Sequence, residues 1–372
     1  MSSRNRRTAA ATEMLPYMPD VVDALPPKAG EGEWVGLTLE EAIARTLQIV
    51  DEAHATYPEA AGMYWLSSGG KDSAIVGHVL RGRYAGVLHV NTGTGIPETT
   101  EYVRDVAAAW GDVLHELHPK NRYADLVLGR VIAGSGPNAG IRPIWKGFPG
   151  PDGHKVMYRQ LKHEPLTRFR RELLGDQSRL ARKERKRVIY LGGMRWAESQ
   201  RRFRNAEAID PAGSIVWVSP LVHWTDAHMR EYRNLHRCQQ DHEHATHRLC
   251  FDGALPLNEV TEHIHMSGEC LCGAYAKPGE LDEIEFFYPE VAARLKALEA
   301  EAEQAGVKYC RWGQKNGGVA AASAAGRLCS SCVEYDPNAP RQGGLEDDWL
   351  AAGLITADQR DNLRANHLEE AS

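Results

Sequence analysis

The sequence predicts an α/β protein: a parallel sheet with helices on both faces, followed by a smaller Cys/His-rich, metal-supported module. Three observations predict it. Short apolar runs alternate with segments of helical periodicity up to about residue 235, a Ser-Gly-Gly turn sits at one strand-to-helix junction, and the composition then shifts to His and Cys. With 372 residues there is room for one large α/β domain plus a smaller module.

The elements follow in order. Residues 1–34 carry prolines and small residues with little periodicity and read as an arm. Leu37 to Ala55 places Leu39, Ala42, Ile43 and Leu47 near the helical period. Met63-Tyr64-Trp65-Leu66 is a strand and Ala74 to Leu80 a helix. Ala85 to Asn91 is a second strand, and Pro97 to Trp110 a helix with Tyr102, Val103, Val106 and Trp110 inward. Val113–Leu117, Val188–Leu191 and Ile215–Val218 complete the strands. The nucleotide-binding domain is thus expected over 35–235, with an insertion over 119–187 that is first rich in Gly and Pro and then basic. A helix over Leu281–Gln304 lies within the Cys/His module, 236–335, and a tail, 336–372, holds a short amphipathic segment near Trp349–Leu363.

Charge and cysteine content bound the function. The net charge of -6 does not describe a general polyanion binder. Residues 159–204 nevertheless hold fifteen Lys or Arg against five Asp or Glu, a surplus that suits either a nucleic-acid partner or a solvated helix face. No apolar run is long enough to cross a bilayer, and Met1–Thr12 has basic residues without an apolar stretch behind them, so a cytoplasmic protein without membrane partners is expected. The cysteines number seven, six of them beyond residue 249, which suits reduced thiols serving a metal better than a disulfide framework.

The chemistry centres on Ser68-Gly69-Gly70-Lys71-Asp72-Ser73. Two adjacent glycines let backbone N–H groups turn toward a charged ligand, and a helix starting at Asp72-Ser73 aims its positive end at the same point. Lys71 adds a charge and the Ser hydroxyls add donors, so the matching ligand is a phosphate or pyrophosphate. Asp72 suits Mg²⁺, which usually takes one or two carboxylates when it bridges phosphates.

This loop resembles the SGGxDS loop of the PP-loop ATP pyrophosphatases, which split ATP between the α and β phosphates and leave AMP on a substrate oxygen. Three further segments resemble the phosphoadenosine-phosphosulfate reductase branch of that superfamily. Asn91-Thr92-Gly93 with Glu98-Thr99 is similar to "DTG…PET", and Gly193 to Arg202 to "GxRxxESxxR". Pro220-Leu221, Trp224-Thr225-Asp226 and Tyr232 are similar to "PLxxWTxxDVWxY". The resemblance implies an adenine-nucleotide α-hydrolase-like fold that binds ATP. It also implies that Asn91, Thr92, Gly93 and Glu98 sit at the nucleotide and that Arg195 and Arg202 face phosphates or an acidic substrate. Guanidinium forks suit phosphate oxygens.

The chain departs from the reductases. It keeps an intact SGGKDS loop, has no cysteine after Cys332, and reads Met157-Tyr158 where the iron–sulfur reductases carry a Cys pair, although Lys162 and Pro165-Leu166 match their "RKxxPL" segment. ATP-using members are therefore the nearer relatives, among them the ATP pyrophosphatases of DNA phosphorothioation, which carry a cysteine-ligated iron–sulfur cluster. A sulfur donor such as a cysteine desulfurase becomes an expected partner. In this chain Cys270-x-Cys272 and Cys329-x-x-Cys332 can form a four-thiolate site for Zn²⁺ or a 4Fe–4S cluster, with Cys250 and Cys310 as alternates. Cys238 with His236, His242, His244 and His247 is a second candidate site, weighed against exposed histidines on a polar helix. Expected function is adenylation of an acceptor for sulfur transfer; the rivals are a sulfonucleotide reductase and a nucleic-acid-binding module with a regulatory nucleotide pocket.

Overall fold

A computed structural model describes residues 36–136, 139–177, 179–181, 184–198, 206–237, 254–277 and 279–313. The N-terminal arm, Arg202, Cys238, Cys250, Cys329, Cys332, residues 242–247 and the C-terminal tail lie outside the described residues.

Helix α1 (Leu39–Thr56) starts at a capping box in which Thr38 and Glu41 satisfy each other's backbone amides. Strand β1 (Met63–Leu66) runs into the glycine loop and α2 (Lys71–Val79). The units β2 (Gly86–Val90), α3 (Pro97–Trp110) and β3 (Leu114–Leu117) follow. The insertion forms α4 (Tyr123–Val127), α5 (His154–Tyr158) and, after a π-helical turn, α6 (Glu164–Leu174). Then come β4 (Val188–Leu191), β5 (Ile209–Ala212), β6 (Ile215–Val218) and α7 (Asp226–Leu235).

The strand order is β3-β2-β1-β4-β6-β5, parallel except for β5. Alternation along the strands sends successive side chains to opposite faces. Met63, Trp65, Ile189 and Leu191 enter one core with α1, α2 and α3, while Tyr64, Val188 and Tyr190 meet Leu166 and Phe169 of α6 on the other. The expected parallel sheet covered on both faces is present. Strand β5 was not expected from the sequence: it is a mostly exposed edge strand containing Pro211, so it lacks the apolar alternation that marks a strand.

Two further expectations differ. The helix expected over 281–304 is two helices, α9 (Glu280–Phe287) and α10 (Pro289–Gln304), preceded by the short α8 (Val260–His263). Pro289 lacks an N–H and takes the first position of a new helix, which splits the run. The described residues of 179–187 carry no α-helix despite their charge density.

Residues 254–313 do not stand apart from the insertion. Val260, Ile264, Leu271, Ile284 and Leu295 share one apolar core with Tyr123, Leu126, Phe148, Met157 and Leu161, and Ile96 before α3 joins it. That shared core carries the 256–272 segment over the carboxyl ends of the strands. Among the described residues no helix is long and apolar enough to cross a membrane.

Candidate active site

The chain turns from β1 toward β2 on one side and meets β4 on the other, so the carboxyl ends of β1 and β4 form the topological switch point of the sheet. The glycine loop occupies that crevice. Gly69 has φ of +71°, a conformation glycine adopts without strain, and an added Cβ would stand 2.6 Å from Thr99 Cγ2. Ser73 Oγ donates to Gly70 O at 2.9 Å and lies 3.1 Å from Ser68 Oγ, and the Gly70 amide donates to Ser68 Oγ at 3.3 Å. The serine hydroxyls therefore set the loop's shape. Trp65 Nε1 donates to Ser73 O at 2.8 Å and pins the start of α2 to β1. First-turn amides have no partner inside their helix, so those of Lys71, Asp72 and Ser73 are left for an acceptor outside it.

Arg195, in the loop after β4, is 1% exposed. Its Nε lies 3.4 Å from Asp72 Oδ1, and its Nη1 lies 2.9 Å from Asp226 Oδ1 and 3.3 Å from Trp224 O. Arg195 was expected to face phosphates or an acidic substrate; in the structure its guanidinium is buried and its close partners are these two carboxylates and the Trp224 carbonyl. Asp226 opens α7, which Thr225 caps together with His228. Asp72 keeps a quarter of its side chain exposed.

Lys71 Nζ sits 3.2 Å from Glu262 Oε1, and the same oxygen accepts from Arg233 Nη2 at 2.7 Å. Burial works against the Glu262 charge, but Lys71 and Arg233 hold its carboxyl below the ordinary carboxylate range. Asn258, 5% exposed, donates to Gly69 O at 2.7 Å. Neither Asn258 nor Glu262 was expected at the loop. They lie almost two hundred residues downstream, in the half read as a separate module, and no motif marks them. His89 in β2 was missed for a similar reason: it is a buried polar residue in a strand, bonded to Ser67 O at 2.9 Å and Thr100 Oγ1 at 3.1 Å.

The segment after β2 is tied to the same downstream chain. Asn91 donates to Glu116 at 2.9 Å and accepts from the Gly93 amide at 3.1 Å, forming the turn itself. Thr92 donates to Glu269 O at 2.8 Å, and Thr99 donates to Ser267 O at 2.6 Å. Glu98 Oε2 is buried with no hydrogen-bond partner among the described residues. Arg202 lies outside them.

Cys270 and Cys272 meet at the end of this strap. Cys270 Sγ accepts from Thr94 at 3.7 Å, and Lys162 Nζ pairs with Glu269 Oε2 at 2.9 Å alongside. The Cys272 thiol donates to Cys270 and, with Lys162, pulls the Cys270 thiol below its ordinary range, while Cys272 is pushed up. Two thiols side by side suit half of a four-thiolate site. Cys310 packs in the same core, and Cys329 and Cys332 lie outside the described residues. Among the described residues no group of three or more His, Cys, Asp or Glu is placed to hold a metal ion. His236, from the second candidate set, packs on Tyr232 at 4.3 Å and on His78 at 5.0 Å.

No protein-family model matches this chain, and no curated protein matches it. Among solved structures it is similar to a phosphoadenylyl-sulfate (PAPS) reductase from Candida auris, determined as a phosphate complex, at 17% identity and TM-score 0.35, covering 68% of this chain and 94% of that one. It is also similar to an FMN adenylyltransferase from Candida glabrata, determined with FAD and inorganic pyrophosphate, at 9% identity and TM-score 0.32, covering 66% of each chain. Fold and loop define an open, mostly parallel α/β sheet with a glycine loop at its switch point.

Proposed function

We propose that this chain is an ATP pyrophosphatase that transfers AMP to an acceptor oxygen, serving sulfur transfer to a nucleic acid or a small metabolite. One observation carries the reading: the SGGKDS loop lies at the carboxyl ends of β1 and β4, and α2 starts directly from it at Lys71. The acceptor oxygen attacks the α phosphorus, the bond to the bridging oxygen breaks, and pyrophosphate leaves. Catalysis is then chiefly positioning and charge stabilisation.

Each residue has a role in that step. The α2 amides and Lys71 stabilise charge on the departing pyrophosphate, Lys71 exchanging Glu262 for phosphate oxygens as ATP binds. Asp72, oriented by Arg195 and Asp226, is the carboxylate that would hold Mg²⁺, whose chemistry is to neutralise phosphate charge. Asn258 and Glu262 close the loop from above. The Cys270/Cys272 pair, joined by Cys329 and Cys332, would hold Zn²⁺ or a 4Fe–4S cluster that braces the strap over the loop.

A second reading, reduction of a sulfonucleotide, draws on the lowered Cys270 thiol beside Lys162. Binding of labelled ATP to Gly70→Val tests the first reading: a Cβ at Gly70 meets Ser267 and Ser68 at 3.3 Å, and the larger side chain fills the cradle. Loss of ATP binding in a folded variant is expected; unchanged affinity would sink the assignment.

A further inference from the structure

At the amino-terminal ends of β4 and β6, on the edge of the sheet opposite the glycine loop, a cleft of about 590 Å³ opens among Tyr57, Arg170, Arg171, Arg185, Lys186 and Arg187. No carboxylate belongs to its lining. Its cations come from two chain segments: the end of α6, carrying Arg170 and Arg171, and the approach to β4, carrying residues 185–187. Both are held in place. Gln177 accepts from the Lys186 amide at 2.6 Å and donates to Lys186 O at 3.2 Å, and Arg187 lies over the Tyr57 ring at 5.1 Å. The nearby acid Glu184 is turned away, accepting from the Ala181 amide at 3.1 Å. Five cations thus converge in a chain whose net charge is -6, at a place the ATP reaction does not use.

We propose that this cleft binds the phosphodiester backbone of a nucleic acid. Cations from two chain segments outnumber what one phosphate could satisfy, so the fitting ligand is a polymer of regularly spaced anions. Four of the five are arginines, whose planar forks match phosphate oxygens better than a lysine-rich surface would. Tyr57, partly buried against the core of α1, fixes Arg187 at the cleft through its ring. The proposal does not depend on the ATP chemistry; it names the acceptor class if that chemistry is correct.

Fluorescence anisotropy tests it, using the full chain with labelled single-stranded DNA, single-stranded RNA and duplex DNA of about 20 nucleotides, between about 50 and 200 mM salt. The wild-type protein should bind at least one of the three. The double variant Arg171→Glu/Lys186→Glu should bind about tenfold or more weakly and lower the salt slope by roughly two. ATP binding should be unchanged in that variant, and Arg185→Ala, a milder change, should weaken nucleic acid binding in the same direction. Which of the three probes binds best distinguishes strand type and sugar. No binding by the wild type, or equal binding by the variants, overturns the proposal. Competition by poly-glutamate as effective as by unlabelled oligonucleotide reassigns the cleft to acidic protein segments, and displacement by free pyrophosphate or AMP reassigns it to small anions; either result also overturns it. Nucleic-acid binding without pyrophosphate release would leave this site standing while removing the ATP reading.

Discussion

Arg195 holds Asp72 from behind: its Nε lies 3.4 Å from Asp72 Oδ1 while its Nη1 is anchored 2.9 Å from Asp226 Oδ1. A guanidinium reaches both carboxylates at once and an ammonium cannot. Arg195→Lys should therefore lose one of the two contacts, leave a partly exposed carboxylate without its partner, and destabilise the fold by about 2 kcal/mol in urea unfolding. It should also raise the Mg²⁺ concentration needed for half-maximal turnover, since Asp72 is no longer fixed. Wild-type stability together with wild-type Mg²⁺ dependence would contradict the positioning role.

On the proposed reading, Glu262 competes with phosphate for Lys71. Replacing it by Gln frees the ammonium and removes a negative charge from the cradle, at the cost of the Arg233 contact. The pair is partly exposed, so the gain is modest: ATP should bind roughly fivefold more tightly in Glu262→Gln, about 1 kcal/mol. Isothermal titration reads this directly, and weaker ATP binding would show instead that Glu262 serves the nucleotide.

The thiol pair makes a separate prediction. Cys270→Ser and Cys332→Ser should each lower bound metal and destabilise the residues around the strap, because a closed thiolate site contributes folding energy. Metal analysis and visible absorption of anaerobically purified protein separate iron–sulfur from zinc. Full occupancy in both variants would mean that other cysteines supply the site.

His223 gives a pH dependence. Burial pushes its pKa down from 6.5 to about 4, with Nε2 bonded to Ala42 O at 3.0 Å. The unfolded chain thus binds this proton more readily, so the neutral imidazole's contribution is complete above pH 6.5 and is lost as pH falls toward 4. The loss is on the order of 3 kcal/mol at most. His223→Gln should flatten the stability profile in that window by about one proton; an identical slope in the variant would show that another group carries it.

What the sequence made legible is what depends on local pattern. Strand β1, the glycine loop and α3 follow from a short apolar run, glycine chemistry and Pro97 at a helix start, and β1 and α3 are found where they were read. Long-range partners left no such trace. Asn258 and Glu262 look like any surface polar residues until the shared core of Ile264 and Leu271 with Leu126 and Phe148 brings them over the loop. Arg195 carried the right residue type, but its burial behind the loop comes from Trp224 and Asp226, which only the packing of α7 sets in place.

The central claim is most directly tested by the products formed from ATP labelled at the α phosphate, with Mg²⁺ and a range of acceptors including nucleic acid, run beside sulfite release from phosphoadenosine phosphosulfate. The account predicts labelled AMP, free or on the acceptor, together with pyrophosphate, and neither ADP nor sulfite. Sulfite without pyrophosphate, or ADP with inorganic phosphate, would contradict it.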